Sequence, residues 1–320
     1  MKLLPGVFIA TIYGLTLRLM YGLLNNVMAI MSVSFLVFSP LVIGFLTVLL
    51  VPKKYITSGV GAFFTPWLTA MTLLIVTIML DVEGAICWVM IYPLFSVLAG
   101  IGGLIAYHIK KDKSGAGDWE KPDTFKVSLL VFVPLFIGVA EGDRTLSRQD
   151  FKISQTIVIP SSANEVWNQL THINEIAHKE NTASFSALMG FPKHLRTTLD
   201  TVCVGAKRMA IYEKGLFFEE TITQFEPSKL LILDIKTDPA NIPPTVMDEH
   251  ILIGGKHVDI LQDRYKIEKI TDHSCRLTLS THFYINTPFN WYAGIWARLL
   301  MNDILRGELT LIASRSALIQ

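Results

Sequence analysis

Hydrophobic positions in this chain follow two regimes, and the change comes near residue 140. From Leu3 to Pro52 the only charged residue is Arg18, and from Tyr55 to Ile109, histidine aside, only Asp81 and Glu83 are charged. Four apolar runs, 3–24, 27–51, 60–80 and 85–109, each reach the length of about 20 residues that a helix needs to cross a bilayer. A fifth, 127–140, is shorter and as a helix extends only about 21 Å. The pattern predicts an N-terminal all-α transmembrane bundle of four to five helices over residues 1–140. Arg18 interrupts the first run and no small-x-small cleavage site follows it, so this run reads as a retained helix rather than a signal peptide. Arg18 itself either snorkels to the headgroups or lines a bundle cavity.

Orientation follows from the basic loops. Lys53 and Lys54 share one loop, Lys110, Lys111 and Lys113 share the loop two spans later, and the loop between them carries Asp81 and Glu83. The excess of lysine places both basic loops, and Met1, in the cytoplasm. If 127–140 crosses, the remainder of the chain is extracytoplasmic; if it lies in the interface, the remainder is cytoplasmic. Gly59, Gly61, Ser96, Gly100, Gly102, Gly103 and Ala106 give small-residue faces that let helices approach closely, within one chain or between the chains of a homo-oligomer. With Arg18 the only charge inside a span, an ion pump is disfavoured.

Residues 141–150 are polar and suit a linker, and 151–320 read as a separate domain. Here strand-like alternation replaces the long apolar runs. Residues 152–159 are β-branched and end at Pro160; Ser162 and Glu165 have the spacing of a capping box opening a helix to Leu170. A second short helix is expected over 173–178. From about Thr197 the period becomes two, with turns at strand-like intervals, and 289–318 reads as one long helix. The sum is an α+β domain, a curved antiparallel sheet with one long C-terminal helix. In the last strand Leu277, Leu279, Thr281, Phe283 and Ile285 share one face; Leu216, Phe218, Glu220 and Ile222 do so earlier. Trp291, Tyr292, Ile295, Trp296, Leu299 and Leu300 are the helix positions expected to cover that sheet. One helix over a bent apolar sheet leaves a space suited to a ligand.

The order of elements, with VIPSSANEVWNQL closing the first strand and VGAKRMAIYEKGLFFEETITQFEPSKLL across the middle strands, resembles the START-like, or SRPBCC, superfamily of lipid-transfer, polyketide cyclase/dehydrase and hydrophobic-ligand domains. The resemblance covers about residues 150–318 and implies a helix-grip fold. It supplies no catalytic motif, so no site residue follows from it.

Candidate chemistry is sparse. Glu220, set between Phe218 and Ile222 on the apolar face, is either a general acid/base with a raised pKa or a buried carboxylate satisfied by Arg208. His250, beside Asp248 and Glu249, reads as a loop-end histidine or a catalytic or metal-binding one. His172 and His178 lack a spacing that puts both on one helical face, and neither an HExxH nor a GxSxG motif is present. No metal or cofactor is expected. Cys203 and Cys275 would pair only in an oxidising compartment and at a separation the sequence does not give.

Composition narrows the class further: 51% hydrophobic, 17% charged and a net charge of +1, which leaves no basic excess for nucleic acid. The expected protein is a multi-pass cell-membrane protein whose C-terminal domain, expected on the extracytoplasmic side, binds a hydrophobic small molecule or lipid. Phe218, Glu220, Ile222, Thr281, Phe283, Trp291 and Trp296 are the expected cavity residues. The alternatives are a cyclase/dehydrase-type enzyme using Glu220 as acid/base, and a structural or regulatory membrane protein without a ligand.

Overall fold

The computed structural model describes residues 4–24, 27–113, 124–142, 144–177, 180, 184–199, 201–239 and 252–317. The chain divides into two compact units, Met1–Leu146 and Ser147–Gln320.

The first unit is helical throughout. Its helices are α1 (Leu4–Leu23), α2 (Ser39–Leu50, preceded by a π turn at Ser34–Phe38), α3 (Gly59–Met79), α4 (Ala85–Lys113) and α5 (Thr124–Glu141). Three stretches, Leu4–Leu23, Gly59–Met79 and Ile86–Lys111, are long and apolar enough to cross a membrane; Ser34–Leu50 and Leu129–Glu141 are shorter. This corrects the expected four to five spans. The apolar run at 27–51 does not form one helix, because its first residues are turns and its helix is capped late. Glu141 accepts the backbone N–H groups of Val33 (2.7 Å) and Ser34 (2.8 Å), and Ser32 Oγ accepts that of Phe35 at 3.1 Å. These acceptors satisfy donors that every helix start leaves free. Pro40 then offers no N–H to the preceding turn, and the wide π turn forms just ahead of it.

Glycines set the packing of this unit. A Cβ at Gly44 would overlap the Ala99 carbonyl, one at Gly102 the Leu41 carbonyl and one at Gly103 the Ala62 carbonyl. The small-residue faces at Gly100, Gly102 and Gly103 are thus occupied inside the chain, where α4 meets α2 and α3. Arg18 pairs with Glu83 and donates to the Val82 carbonyl at 3.2 Å, so it is held by the acidic loop rather than snorkelling. At the other end Lys110 Nζ donates to the Leu49 (2.6 Å) and Val48 (3.2 Å) carbonyls and caps α2.

The second unit is the expected α+β arrangement of a curved antiparallel sheet and one long helix. Its strands are β1 (Arg148–Ile159), β2 (His194–Leu199), β3 (Lys207–Tyr212), β4 (Phe217–Glu226), β5 (Leu230–Lys236), β6 (Val258–Thr271) and β7 (Ser274–Asn286). They form one seven-stranded sheet in the order β1-β7-β6-β5-β4-β3-β2. The register shifts at 222/224 in β4 and at 260/262 in β6, and such bulges bend a sheet. The alternation in β7 holds: Leu277, Leu279, Thr281, Phe283 and Ile285 are all buried. Helix α6 (Ala163–Thr171) opens with the capping box, Ser162 and Glu165 each bonding the other's backbone N–H.

Two local expectations fail for physical reasons. The helix expected over 173–178 is absent among the residues described there. Ile176 N–H donates to Leu195 O and Thr197 N–H to Ile173 O, both at 2.8 Å, so this segment bonds to β2 and buries its two isoleucines. The short helix is instead α7 (Phe185–Leu188). The long helix α8 (Asn290–Ala317) is rotated from the expected face. Trp291 (65% exposed), Ile295 and Leu299 point outward, while Ala293, Ala297 and Met301 pack on the core. Gly294 sits where a Cβ would come within 3.0 Å of the Phe151 ring. Small residues bring the first turns of the helix down onto the sheet and turn Trp291, Ile295 and Leu299 away, while Leu300 is buried as expected and Leu305, Leu309 and Ile312 pack on the core further along.

Candidate functional site

A half-open cavity of about 150 Å³ lies between α8, α7 and the concave face of the sheet. Phe218, Ile253, Ile260, Met301 and Leu305 form part of an apolar wall. Polar groups on its lining include Glu220 and Tyr212 from β4 and β3, Asp263 and Thr281 from β6 and β7, His194 from β2, and Asp303 and Glu308 from α8.

Glu220 faces the cavity because parity along β4 puts it with Phe218 and Ile222 on the buried side. Directly opposite in register is Arg208 on β3. Arg208 is 1% exposed and its Nε lies 2.7 Å from Glu220 Oε2. The approach is off-line, so the ion pair is close while neither atom completes a hydrogen bond. Burial pushes the Glu220 carboxyl above the usual range, against the opposing pull of Arg208. Of the two readings of Glu220 open from sequence, the ion pair with Arg208 belongs to the one and the raised pKa to the other.

Asp263 is the residue that sequence reasoning missed. It lies opposite Thr281 and receives that hydroxyl's hydrogen bond. Burial raises its carboxyl to about 7, with the Thr281 bond working the other way and Glu220 adding to the rise. The signal was present locally, since Asp263 shares parity with the buried Tyr265 and Ile267. The bulge at 260/262 hides it from a reading that begins at Ile260, because both Ile260 and Asp263 line the cavity.

On the helix side, Glu308 Oε2 lies 3.1 Å from His194 Nδ1, and the ring of His194 stacks on Tyr212 at 4.9 Å. Burial raises the Glu308 carboxyl, but His194, Arg208 and Arg315 outweigh it and hold it below the usual range. Glu308 Oε1 is sealed and has no hydrogen-bond partner among the described residues.

Of the residues expected to line the cavity, Phe218, Glu220 and Thr281 do so together. Ile222 and Phe283 belong to the solid core, Phe283 stacking on Phe151 at 5.3 Å. Trp291 is exposed and Trp296 half-buried, neither on the cavity lining, because the small-residue face of α8 takes the contact with the sheet. His250 and His178 lie outside the described residues. Cys203 is exposed and Cys275 buried, both as thiols outside any disulfide. No group of three or more His, Cys, Asp or Glu is placed to hold a metal among the described residues.

No family model matches this sequence, and no curated protein matches it. Solved structures it is similar to include the following. A START superfamily protein from Mycobacterium smegmatis shares 11% identity, covering 53% of this chain and 99% of that one, with a TM-score of 0.35. A point mutant of norcoclaurine synthase from Thalictrum flavum shares 12%, over 54% and 98%, with a TM-score of 0.33. The Zhui aromatase/cyclase from a Streptomyces species shares 10%, over 54% and 97%, also at 0.33. At this level of likeness no activity passes from those proteins to this chain.

Proposed function

We propose that this chain is a membrane-anchored binding protein for a small, largely apolar molecule, held in the cavity under α8. The observation that carries the reading is the cavity itself, apolar in its walls and ionisable in its floor. That combination is typical of a site that encloses an apolar body and orients one polar end. The volume limits the ligand. About 150 Å³ is well below the roughly 300–1,000 Å³ of drug-sized pockets and close to an engineered cavity that holds benzene. The ligand is therefore ring-sized, or enters with one such group, rather than a whole lipid.

The anchor supports a location for the domain as well. Within the helical unit, Tyr21 near the end of α1 bonds to Ser34 at 2.8 Å, and Glu141 at the end of α5 bonds to the same turn. Arg18, one turn before Tyr21, pairs with Glu83. The end of α5 thus shares an end of the bundle with the acidic loop, opposite Lys53, Lys54 and Lys110. By length alone three helices qualify as spans; we propose that the two shorter ones, Ser34–Leu50 and Leu129–Glu141, cross as well, which by the positive-inside rule puts that end, and the residues after α5, outside.

A direct test is the thermal shift of the full chain in detergent on addition of benzyl alcohol, since a ligand that binds only the folded state raises Tm with concentration. Gly307 lines the cavity, and a Cβ there meets nothing within 4 Å, so Gly307→Trp fills the space without a backbone clash. A saturable shift in the wild type that is lost in Gly307→Trp supports the reading; equal shifts in both reject it.

A second reading, an enzyme acting by acid/base chemistry, is favoured by one observation. Asp263, with its carboxyl near 7, is poised to give and take a proton at neutral pH. Its mark would be turnover abolished by Asp263→Asn with ligand affinity kept.

A further inference from the structure

Five carboxylates line the cavity, those of Glu180, Glu220, Asp263, Asp303 and Glu308, and the basic residues on the lining are Lys193 and His194. Most of the five are matched. Arg315 takes both oxygens of Glu180 at 2.8 and 3.0 Å. Asp303 accepts the Ser186 N–H at 2.7 Å, and Arg208 stands against Glu220. Glu308 is half matched: His194 faces Oε2, while Oε1 is sealed without a partner. Asp263 has only the Thr281 hydroxyl, and no cation lies within ion-pair distance of it among the described residues.

A half-buried carboxylate with one hydroxyl partner and other carboxylates beside it favours a proton or a cation, because desolvation and like charge both disfavour its charged form. The groups that face Asp263 decide which. Glu220 from β4 and Glu308 from α8 bring negative charge, Arg208 from β3 is already engaged by Glu220, and Thr281 on β7 and Tyr265 on β6 are neutral donors. Around Asp263 the facing charges are thus two carboxylates and one guanidinium already engaged, under walls that are partly apolar.

We propose that the ligand of this cavity is a small primary amine, its ring-sized apolar body against Phe218 and Met301 and its ammonium among Glu220, Asp263 and Glu308. An ammonium brings three donors and one positive charge, which answers the Asp263 carboxylate on the cavity lining, whose own partner is the Thr281 hydroxyl. This inference rests on the ligand-binding reading above and names the chemical class of that ligand.

The test compares benzylamine with benzyl alcohol, a neutral partner of nearly the same shape, by calorimetric titration of the full chain in detergent at pH 6 and pH 8. The amine is a cation at both. Binding it displaces the proton that Asp263 holds, so its affinity rises with pH, by about tenfold over the two units for one proton released near 7. The alcohol shows no such rise. In Asp263→Asn, benzylamine loses both the pH dependence and about tenfold in affinity at pH 8, and benzyl alcohol is little changed. Because the wild-type pH comparison needs no variant, the inference remains testable if Asp263→Asn misfolds. Equal, pH-independent binding of amine and alcohol overturns the amine assignment while leaving the ligand-binding reading intact. No binding of either overturns both.

Discussion

Arg208 and Glu220 face one another across β3 and β4 with Nε and Oε2 2.7 Å apart, both side chains nearly closed to solvent. A pair buried this far offsets its own desolvation only while both members remain, and removing one strands the other's charge at a cost of about 3–5 kcal/mol. Arg208→Ala is therefore expected to lower the Tm of the full chain sharply. Arg208→Met combined with Glu220→Leu restores most of the loss. A double-mutant cycle on Tm and denaturant midpoint measures the coupling; additive losses would show that the two charges do not depend on each other.

The half-buried Asp263 makes stability depend on pH in a direction that can be worked out. Its carboxyl titrates near 4 in the unfolded chain and about 7 when folded, so between those values the folded state holds the extra proton. Stability then falls as pH rises through that window, by at most about 1.4 kcal/mol per pH unit from this group. The raised Glu220 carboxyl adds to the fall, while the depressed Glu308 acts only at lower pH, where its contribution is lost as the carboxylate is protonated. Asp263→Asn removes Asp263's share, and its melting temperature, followed from pH 5 to pH 8, should fall less steeply than the wild type's. A slope unchanged by the substitution would show that Asp263 is not the group responsible.

Much of this was legible in the sequence where the constraint is local. Along β7 and β4 a single buried face fixes side-chain parity, so Thr281 and Glu220 could be placed from alternation alone. Asp263 could not be placed by continuing from Ile260, because the bulge between them changes the parity. The face of α8 was misread because hydrophobicity marks which residues are apolar, while close approach at Gly294 selects which of them meet the sheet. The late start of α2 involves Glu141, more than a hundred positions further along the chain, and no pattern within 27–51 carries that information.

In the helical unit the close approach at Gly102 is a strict requirement. Its virtual Cβ overlaps backbone, the Leu41 carbonyl, which has nowhere to move, whereas Gly61 has only the Ser58 hydroxyl at 3.6 Å. Gly102→Val is expected to abolish accumulation of folded protein in membranes, and Gly61→Ala to leave it near wild type. Comparable yields of the two in detergent extraction would contradict the observed packing of α4 on α2.

The side of the membrane is open to a labelling test. Cys203 is exposed in the second unit while Cys275 is buried, so a membrane-impermeant maleimide reports the location of Cys203. Labelling is expected in intact cells from outside, and loss of it in Cys203→Ser. Labelling only after the membrane is opened would place the domain in the cytoplasm and mean that α5 does not cross.

The central claim, an enclosed small-molecule site, is most directly tested by mass spectrometry of what leaves the full chain when it is purified in mild detergent and then denatured. The wild type is expected to release one small, ring-sized species in near-stoichiometric amount, and Gly307→Trp, folded to the same extent, to release none. Identical extracts from the two proteins, with no species enriched over detergent and bulk lipid, would contradict it.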